Sequence, residues 1–301
     1  MLNKIIYVIL GISIGLVFVP HPVSDSRGLR EPAVLGLSTK NPDEVLAPSP
    51  ELALSVKSPE ISAKAAFAFD LASGTILYAK NFDEKLPIAS LTKLVTAIIV
   101  DESAASDSIV EVKSADVKVV GSNMGLVPGE KIKVADLLSG MLIPSSNDAA
   151  LTLADYVAGT PEKFVELMNH KTKQLNLAST NFNNPVGWDS EENYSTALDL
   201  SKVVVEFLKR PGLSNIVKTK EVDVSSVDGK FVHQLRSTNK LLMEDPSVTG
   251  IKTGFTSQAK GSLILRARRG NGEIVTIVLG SDNREEDSRK LLEWIFQAYR
   301  W

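Results

Sequence analysis

The sequence predicts an α+β fold: a two-lobed domain whose antiparallel sheet, flanked by helices, is assembled from both ends of the chain, with a helical subdomain inserted between them. Three observations carry this reading. Hairpin patterns stand near both ends of residues 61–301, helix-period runs fill the middle, and an amphipathic run closes the chain.

In chain order, residues 65–70 and 75–79 alternate around Leu71-Ala72-Ser73-Gly74 as a first hairpin. Residues 91–100 are apolar nearly all round, which predicts a buried helix. Further helices are expected over 148–157 and 162–175, with Pro161 suited to a first helical position. A helix over 196–208 stops before Arg210-Pro211-Gly212. Residues 262–268 and 273–280 flank Gly270-Asn271-Gly272 as a second hairpin. The last helix, over 285–299, gathers Leu291, Leu292, Ile295, Phe296 and Tyr299 on one face to pack on the sheet. No repeat at solenoid spacing is visible.

The first sixty residues read differently. Seven of the fourteen prolines fall between positions 20 and 59, so this stretch is expected to be a linker without regular structure. Before it, residues 5–19 are uncharged and mostly apolar, preceded by Lys4. Fifteen helical residues span only about 22 Å, short of a bilayer core of about 30 Å. That length fits a signal peptide, with an uncleaved membrane anchor as the alternative. The expected organisation is therefore an export or anchor segment at 1–19, a Pro-rich linker at 20–60 and one catalytic domain at 61–301. Gly11-Ile12-Ser13-Ile14-Gly15 matches the G-x-S-x-G elbow of α/β hydrolases, but it lies inside the apolar run, without the strand and helix an elbow needs.

Composition excludes several chemistries. With 33 basic against 36 acidic residues and no long block of like charge, nucleic-acid binding through a basic face has little support. The absence of cysteine removes disulfides, thiolate metal sites and a cysteine nucleophile. Of three histidines, only His170 and His233 lie in the domain, on a polar helix and in a strand-like run, a poor basis for a Ser-His-Asp triad.

Ser-x-x-Lys occurs three times, at Ser90/Lys93, Ser237/Lys240 and Ser257/Lys260. Only the first opens a buried apolar helix, where residues three apart share a face. A lysine held there loses hydration, its pKa falls, and as a neutral amine it takes the serine proton. A capping serine followed by a surface lysine is the plainer reading of the other two. Ser145-Ser146-Asn147 sits on a loop before a helix, and Lys252-Thr253-Gly254 lies just before the last hairpin, where Gly254 lets a ligand or neighbouring backbone come close. S-x-x-K, S-x-N and K-T-G thus occur in order on a helix, a loop and a strand, a specific combination.

With these motifs the sequence resembles the serine D-alanyl-D-alanine carboxypeptidases, or low-molecular-mass penicillin-binding proteins. The resemblance covers residues 61–301 and includes Pro87-Ile88-Ala89-Ser90-Leu91-Thr92-Lys93, Gly121-Ser122-Asn123-Met124, Val127-Pro128-Gly129-Glu130, Asn184-Pro185-Val186-Gly187-Trp188-Asp189 and Tyr194-Ser195-Thr196-Ala197. It implies the two-lobed DD-peptidase and β-lactamase-like fold. Ser90 would be the acylated nucleophile, Lys93 its general base, and Ser145 the relay of a proton to the leaving D-alanine. Asn147 would order Lys93 and the substrate amide, Lys252 would supply positive potential, and Thr253 would bind the terminal carboxylate. Gly254 belongs to the same substrate-binding strand, and the amides of Ser90 and Phe255 would form the oxyanion hole. No metal or cofactor is implied. The implied partners are peptidoglycan stem peptides, with β-lactam antibiotics as covalent inhibitors, outside the cytoplasm; a membrane would be met only through an uncleaved N-terminal segment.

The sequence departs from the family in two ways. Longer members carry a β-rich second domain and a C-terminal amphipathic anchor, neither of which follows the last helix here, so any tether is expected at the N-terminus. The cation that longer members place shortly before K-T-G has no counterpart, although Arg236 and Lys240 lie near. Members without the second domain include enzymes that cut peptidoglycan cross-links, so D,D-endopeptidase activity is the nearest alternative. A class A β-lactamase would need Asp where Ser146 stands and a deacylating Glu, whereas Glu162 and Glu166 read as solvated helix positions. A penicillin-acylated sensor without turnover is the non-enzymatic alternative.

Overall fold

The computed structural model describes residues 48–53 and 56–301. The export segment expected at 1–19, the G-x-S-x-G match within it, and linker residues 20–47, 54 and 55 lie outside the described residues. Among the described residues no helix is long and apolar enough to cross a membrane.

The described strands of five or more residues are β1 (Ala65–Asp70), β2 (Ile76–Lys80), β3 (Glu221–Ser225), β4 (Val232–Arg236), β5 (Val248–Thr256), β6 (Lys260–Arg269) and β7 (Gly272–Ser281). The main sheet runs in the order β5-β6-β7-β1-β2 and is antiparallel throughout. Both expected hairpins are present. They are joined where β7 pairs with β1, with Val278 opposite Ala66 and Thr276 opposite Ala68. The sheet is thus closed by contacts between residues about two hundred positions apart.

The helices are α1 (Lys93–Ser103), α2 (Val134–Leu142), α3 (Asn147–Ala158), α4 (Pro161–Gln174), α5 (Ala197–Leu208), α6 (Pro211–Ile216), α7 (Lys240–Glu244) and α8 (Arg284–Ala298). Their ends follow local chemistry. Gly159 closes α3 in the left-handed region at φ 82°, and Thr160 caps α4 by accepting from Lys163 N, with Pro161 in the first turn. Asn283 caps α8, whose first turn holds Glu285, Glu286 and Asp287 at the favourable end of the helix dipole.

Alternation along the strands feeds two cores. On one face, Phe67, Phe69, Ile264 and Ile277 pack with Leu94, Ile98, Val203 and Val204 of α1 and α5; on the other, Ala66, Ala68, Leu263, Leu265 and Val278 meet Leu291, Leu292 and Ile295 of α8. Strand β1 is buried along its whole length, so its period-2 pattern sorts residues by size, with the aromatics facing the helical lobe and alanines facing α8. Each fully buried Phe contributes about 1.5–3 kcal/mol of apolar transfer. Helix α1 is buried from Lys93 to Val100, which makes it the central element of the helical lobe.

The end of the expected linker lies on the domain. Glu51–Leu52 pairs with Tyr299–Arg300, and Trp294 Nε1 donates to Val56 O at 3.2 Å. Asp287 then fastens the chain's approach to β1, accepting from Ser62 N, Ser62 Oγ and Ala63 N at 2.7–3.0 Å and from Ser281 Oγ at 2.6 Å. Hydrogen bonds from non-proline residues thus order a stretch that proline density marks as irregular.

Candidate active site

Ser90 sits in a 3₁₀ turn, Ala89–Thr92, that leads into α1. The turn is strained, since Ala89 has φ 49°, a left-handed conformation that a side chain makes costly. Two neighbours hold it there. A Cβ at Gly187 would fall 1.9 Å from Ala89 O, and one at Gly254 would fall 3.1 Å from Ile88 O and 3.3 Å from Ser90 N. The 184–188 loop and strand β5 therefore grip the serine turn from two sides, with no room for a side chain at Gly187 and a tight approach at Gly254. For Gly254 the close neighbours are Ala89 Cβ, also at 3.1 Å, and the backbone of the turn.

Lys93, one turn along, is fully buried, with its amine at the centre of the site. Nζ lies 2.9 Å from Ser90 Oγ, 2.7 Å from Asn147 Oδ1 and 2.8 Å from Val186 O. Burial pulls its pKa down to about 7, against a partial opposing pull from Asp148. When the amine is neutral, its two N–H groups satisfy Asn147 Oδ1 and Val186 O, which leaves the lone pair facing Ser90 Oγ. This is the arrangement a general base for the serine requires.

The second lysine makes a parallel pair. Lys252 Nζ lies 2.7 Å from Ser145 Oγ and 2.9 Å from Thr253 O, in a place only 1% exposed. Burial first, then the nearby charges of Lys93 and Arg284, hold its pKa well below the usual lysine range. Ser145 itself stands at φ 68°, so the loop before α3 is strained as the Ser90 turn is. Each serine faces a desolvated amine, and Asn147, two residues after Ser145, bonds the first amine directly.

Asn147 is fixed at both ends, because its Nδ2 donates to Val120 O at 2.6 Å and its backbone N to Ser122 O at 2.7 Å. Trp188 Nε1 also reaches Val120 O, at 3.4 Å. Asp148 turns its buried carboxylate to the same loop and accepts from the amides of Met124, Gly125 and Leu126 at 3.1–3.2 Å. Asn184 does the equivalent work opposite, accepting from Val186, Gly187 and Trp188 N at 2.7–3.2 Å. Thr253 Oγ1 lies 2.5 Å from Thr238 Oγ1, and Phe255 exposes its ring at the end of β5.

The structure thus assembles Ser90, Lys93, Ser145, Asn147, Lys252, Thr253 and Gly254 in one cluster, with Phe255 following on the same strand. It leaves the other S-x-x-K pairs outside. Ser237 Oγ accepts from Asn239 N, and Lys240 and Lys260 are exposed. His170 is exposed, while His233 is buried against Glu130 and Met124 O. Sequence reasoning missed Asp148, Asn184, Thr238 and the Val186 carbonyl as parts of the site. For Asp148 the one signal was its place after Asn147, which reads equally as an acid in a first helical turn.

A family model described as D-alanyl-D-alanine carboxypeptidase matches residues 53–283. The chain belongs to this family. It is 35% identical over 246 residues to D-alanyl-D-alanine carboxypeptidase DacF of Bacillus subtilis, covering 79% of this chain and 63% of that protein. It is also 35% identical over 264 residues to DacC of Escherichia coli, covering 81% and 64%. The chain therefore spans a little under two thirds of the length of these two relatives. The crystal structure of the Streptomyces K15 DD-transpeptidase superposes with a TM-score of 0.76 at 31% identity, covering 80% of this chain and all of that one. The α+β, two-lobed reading agrees with this fold family.

Proposed function

We propose that the chain is a serine D-alanyl-D-alanine carboxypeptidase that removes the terminal D-alanine of peptidoglycan stem peptides through an acyl-enzyme. The observation that carries this reading is the Ser90 Oγ to Lys93 Nζ contact of 2.9 Å, made by a buried amine whose pKa is about 7. An amine so poised is neutral in a large fraction of molecules at neutral pH and can take a proton without leaving its hydrogen bonds.

In the first step, Ser90 Oγ bonds to the carbonyl carbon of the penultimate D-alanine as its proton passes to Lys93 Nζ. The amides of Ser90 and Phe255 receive the developing oxyanion, a role worth roughly 3–4 kcal/mol per donor. As the C–N bond breaks, the leaving amine takes a proton from Ser145 Oγ, which Lys252 replenishes at 2.7 Å. Water then attacks the ester carbon and gives a proton through Ser145 back to Lys252, while Lys93 returns its proton to Ser90 Oγ as the ester bond breaks, which restores the hydroxyl and both amines. Thr253 binds the terminal carboxylate, and Lys252 supplies positive potential beside it. A β-lactam would acylate Ser90 by the same first step. Family membership and the apolar segment at 5–19 support an extracytoplasmic site of action, with attachment to the membrane if that segment is retained.

The test incubates the purified full chain with a stem pentapeptide and with a cross-linked dimer, following D-alanine and monomer. Released D-alanine is expected from the pentapeptide, together with Ser90 labelling by a fluorescent penicillin that Ser90→Ala abolishes. Monomer without D-alanine would replace the reading with cross-link cleavage. Label with neither product would leave an acylated sensor.

A further inference from the structure

Resemblance to the family leads one to expect a cation shortly before K-T-G, and both nearby candidates point elsewhere. Arg236 is exposed and pairs with Glu221 at 3.0 Å, and Lys240 is exposed at the start of α7. On K-T-G itself, Arg284 Nη1 donates to Gly254 O at 2.7 Å, and a hydroxyl stands against Thr253. Thr238 Oγ1 is 2.5 Å from Thr253 Oγ1. Its position is built from both sides, since Thr238 N donates to Ile143 O, two residues before Ser145, and the next residue, buried Asn239, caps α7 by accepting from Leu242 N at 3.2 Å. Thr238 therefore bridges the S-x-N loop and the K-T-G strand.

Proton accounting gives this contact a direction. Each hydroxyl carries one hydrogen, so only one of the two donates to the other. If Thr253 donated to Thr238, it would have nothing to offer an anion. A carboxylate accepts only, so its arrival selects the opposite order, in which Thr238 donates to Thr253 Oγ1 and the Thr253 proton is free. Accepting one hydrogen bond also polarises the hydroxyl that donates the next.

We propose that Thr238 is a positioning residue for carboxylate recognition: its hydroxyl donates to Thr253 and so directs the Thr253 proton to the substrate's terminal carboxylate. The proposal rests on the carboxypeptidase reading for its substrate and refines how that substrate is held.

The test measures the second-order rate of Ser90 acylation in the full chain, by intact mass, with benzylpenicillin and with its methyl ester. Wild type is expected to prefer the carboxylate. Thr238→Val should slow acylation by the carboxylate about tenfold, the size of one lost charge-assisted hydrogen bond, and change the ester rate less than about twofold. Thr238→Ser should restore the preference, and Arg236→Met should leave it intact. Equal slowing of both probes by Thr238→Val, no slowing of either, failure of the serine variant to rescue, or loss of preference in Arg236→Met would each overturn the relay. D-alanine release is scored separately. Its absence beside an intact carboxylate preference counts against the carboxypeptidase reading alone, and a preference indifferent to Thr238 beside normal release counts against the relay alone.

Discussion

Asn147 Oδ1 accepts from Lys93 Nζ at 2.7 Å while Asn147 Nδ2 donates to Val120 O at 2.6 Å, so one amide joins the buried amine to the wall of the cleft. The amine is thereby held beside Ser90 while its proton inventory changes, and the first prediction concerns that inventory. Acylation of Ser90 should rise with pH through about 7 and level off above it, as Lys93 becomes neutral. Lys93→Arg, charged at every accessible pH, should lose roughly 100- to 10,000-fold in acylation rate, measured by penicillin labelling.

The same shift has a sign in stability. The folded pKa of Lys93 is about 7 against 10.5 for the free side chain, so between these values the unfolded chain binds the extra proton. The burial cost is complete below about pH 7 and is relieved as pH rises toward 10.5. Wild type should therefore gain stability relative to Lys93→Met over that window, by at most about 1.4 kcal/mol per pH unit. Urea unfolding of both proteins at pH 7 and pH 9.5 measures it; a difference independent of pH would count against a titrating Lys93.

Gly187→Ala should destabilise the protein by at least about 2 kcal/mol and slow acylation, because φ is 91° and the new Cβ meets Ala89 O. Gly129→Ala has a similar φ of 82° but open space around it, and should cost about 1 kcal/mol without slowing acylation. Equal costs at the two sites would mean that the grip on the Ser90 turn contributes nothing.

Asp148→Asn should loosen the loop that holds Asn147, since an amide cannot accept from Met124, Gly125 and Leu126 as a carboxylate does. Hydrogen exchange at those three amides should quicken, and stability should fall by about 1–3 kcal/mol. Because Asp148 raises the Lys93 pKa, the rising limb of the acylation profile should also move to lower pH. A limb that stays in place would separate the loop role from the electrostatic one.

Asp287 predicts acid sensitivity at the other end of the domain. Burial alone would raise its pKa, but hydrogen bonds from Ser281, Ser62 and Ala63 outweigh that and hold it below 3.8. Its contribution is therefore present above 3.8 and lost as pH falls through the lower folded value. Asp287→Asn should cost about 1–3 kcal/mol at pH 7 in chemical denaturation, with the gap from wild type closing in acid below that range.

Much of this architecture could be read locally. The helices α1, α3, α4, α5 and α8 and both hairpins announce themselves through apolar period, caps and turn residues, all of which act within a few positions. The pairing of β3 with β4 was not legible beyond a strand-like run around His233, because seven of the ten strand residues face solvent and the apolar pattern is thin. Short helices α6 and α7 were missed for want of enough turns to show a period.

For the candidate site, the sequence by itself determined which side chains are brought together: three short motifs place serine, lysine, asparagine and threonine at spacings that a helix, a loop and a strand can present. Only the tertiary structure decided their electrostatics and their partners. The low pKa of Lys93 comes from complete burial beneath the 184–188 loop, the hold on Asn147 from Val120 and Ser122, and the contact of Thr238 with Thr253 from the segment between β4 and α7 meeting the K-T-G strand. Desolvation and hydrogen-bond pairing depend on what distant segments bring into contact, and such contacts leave no periodic or compositional trace along the chain.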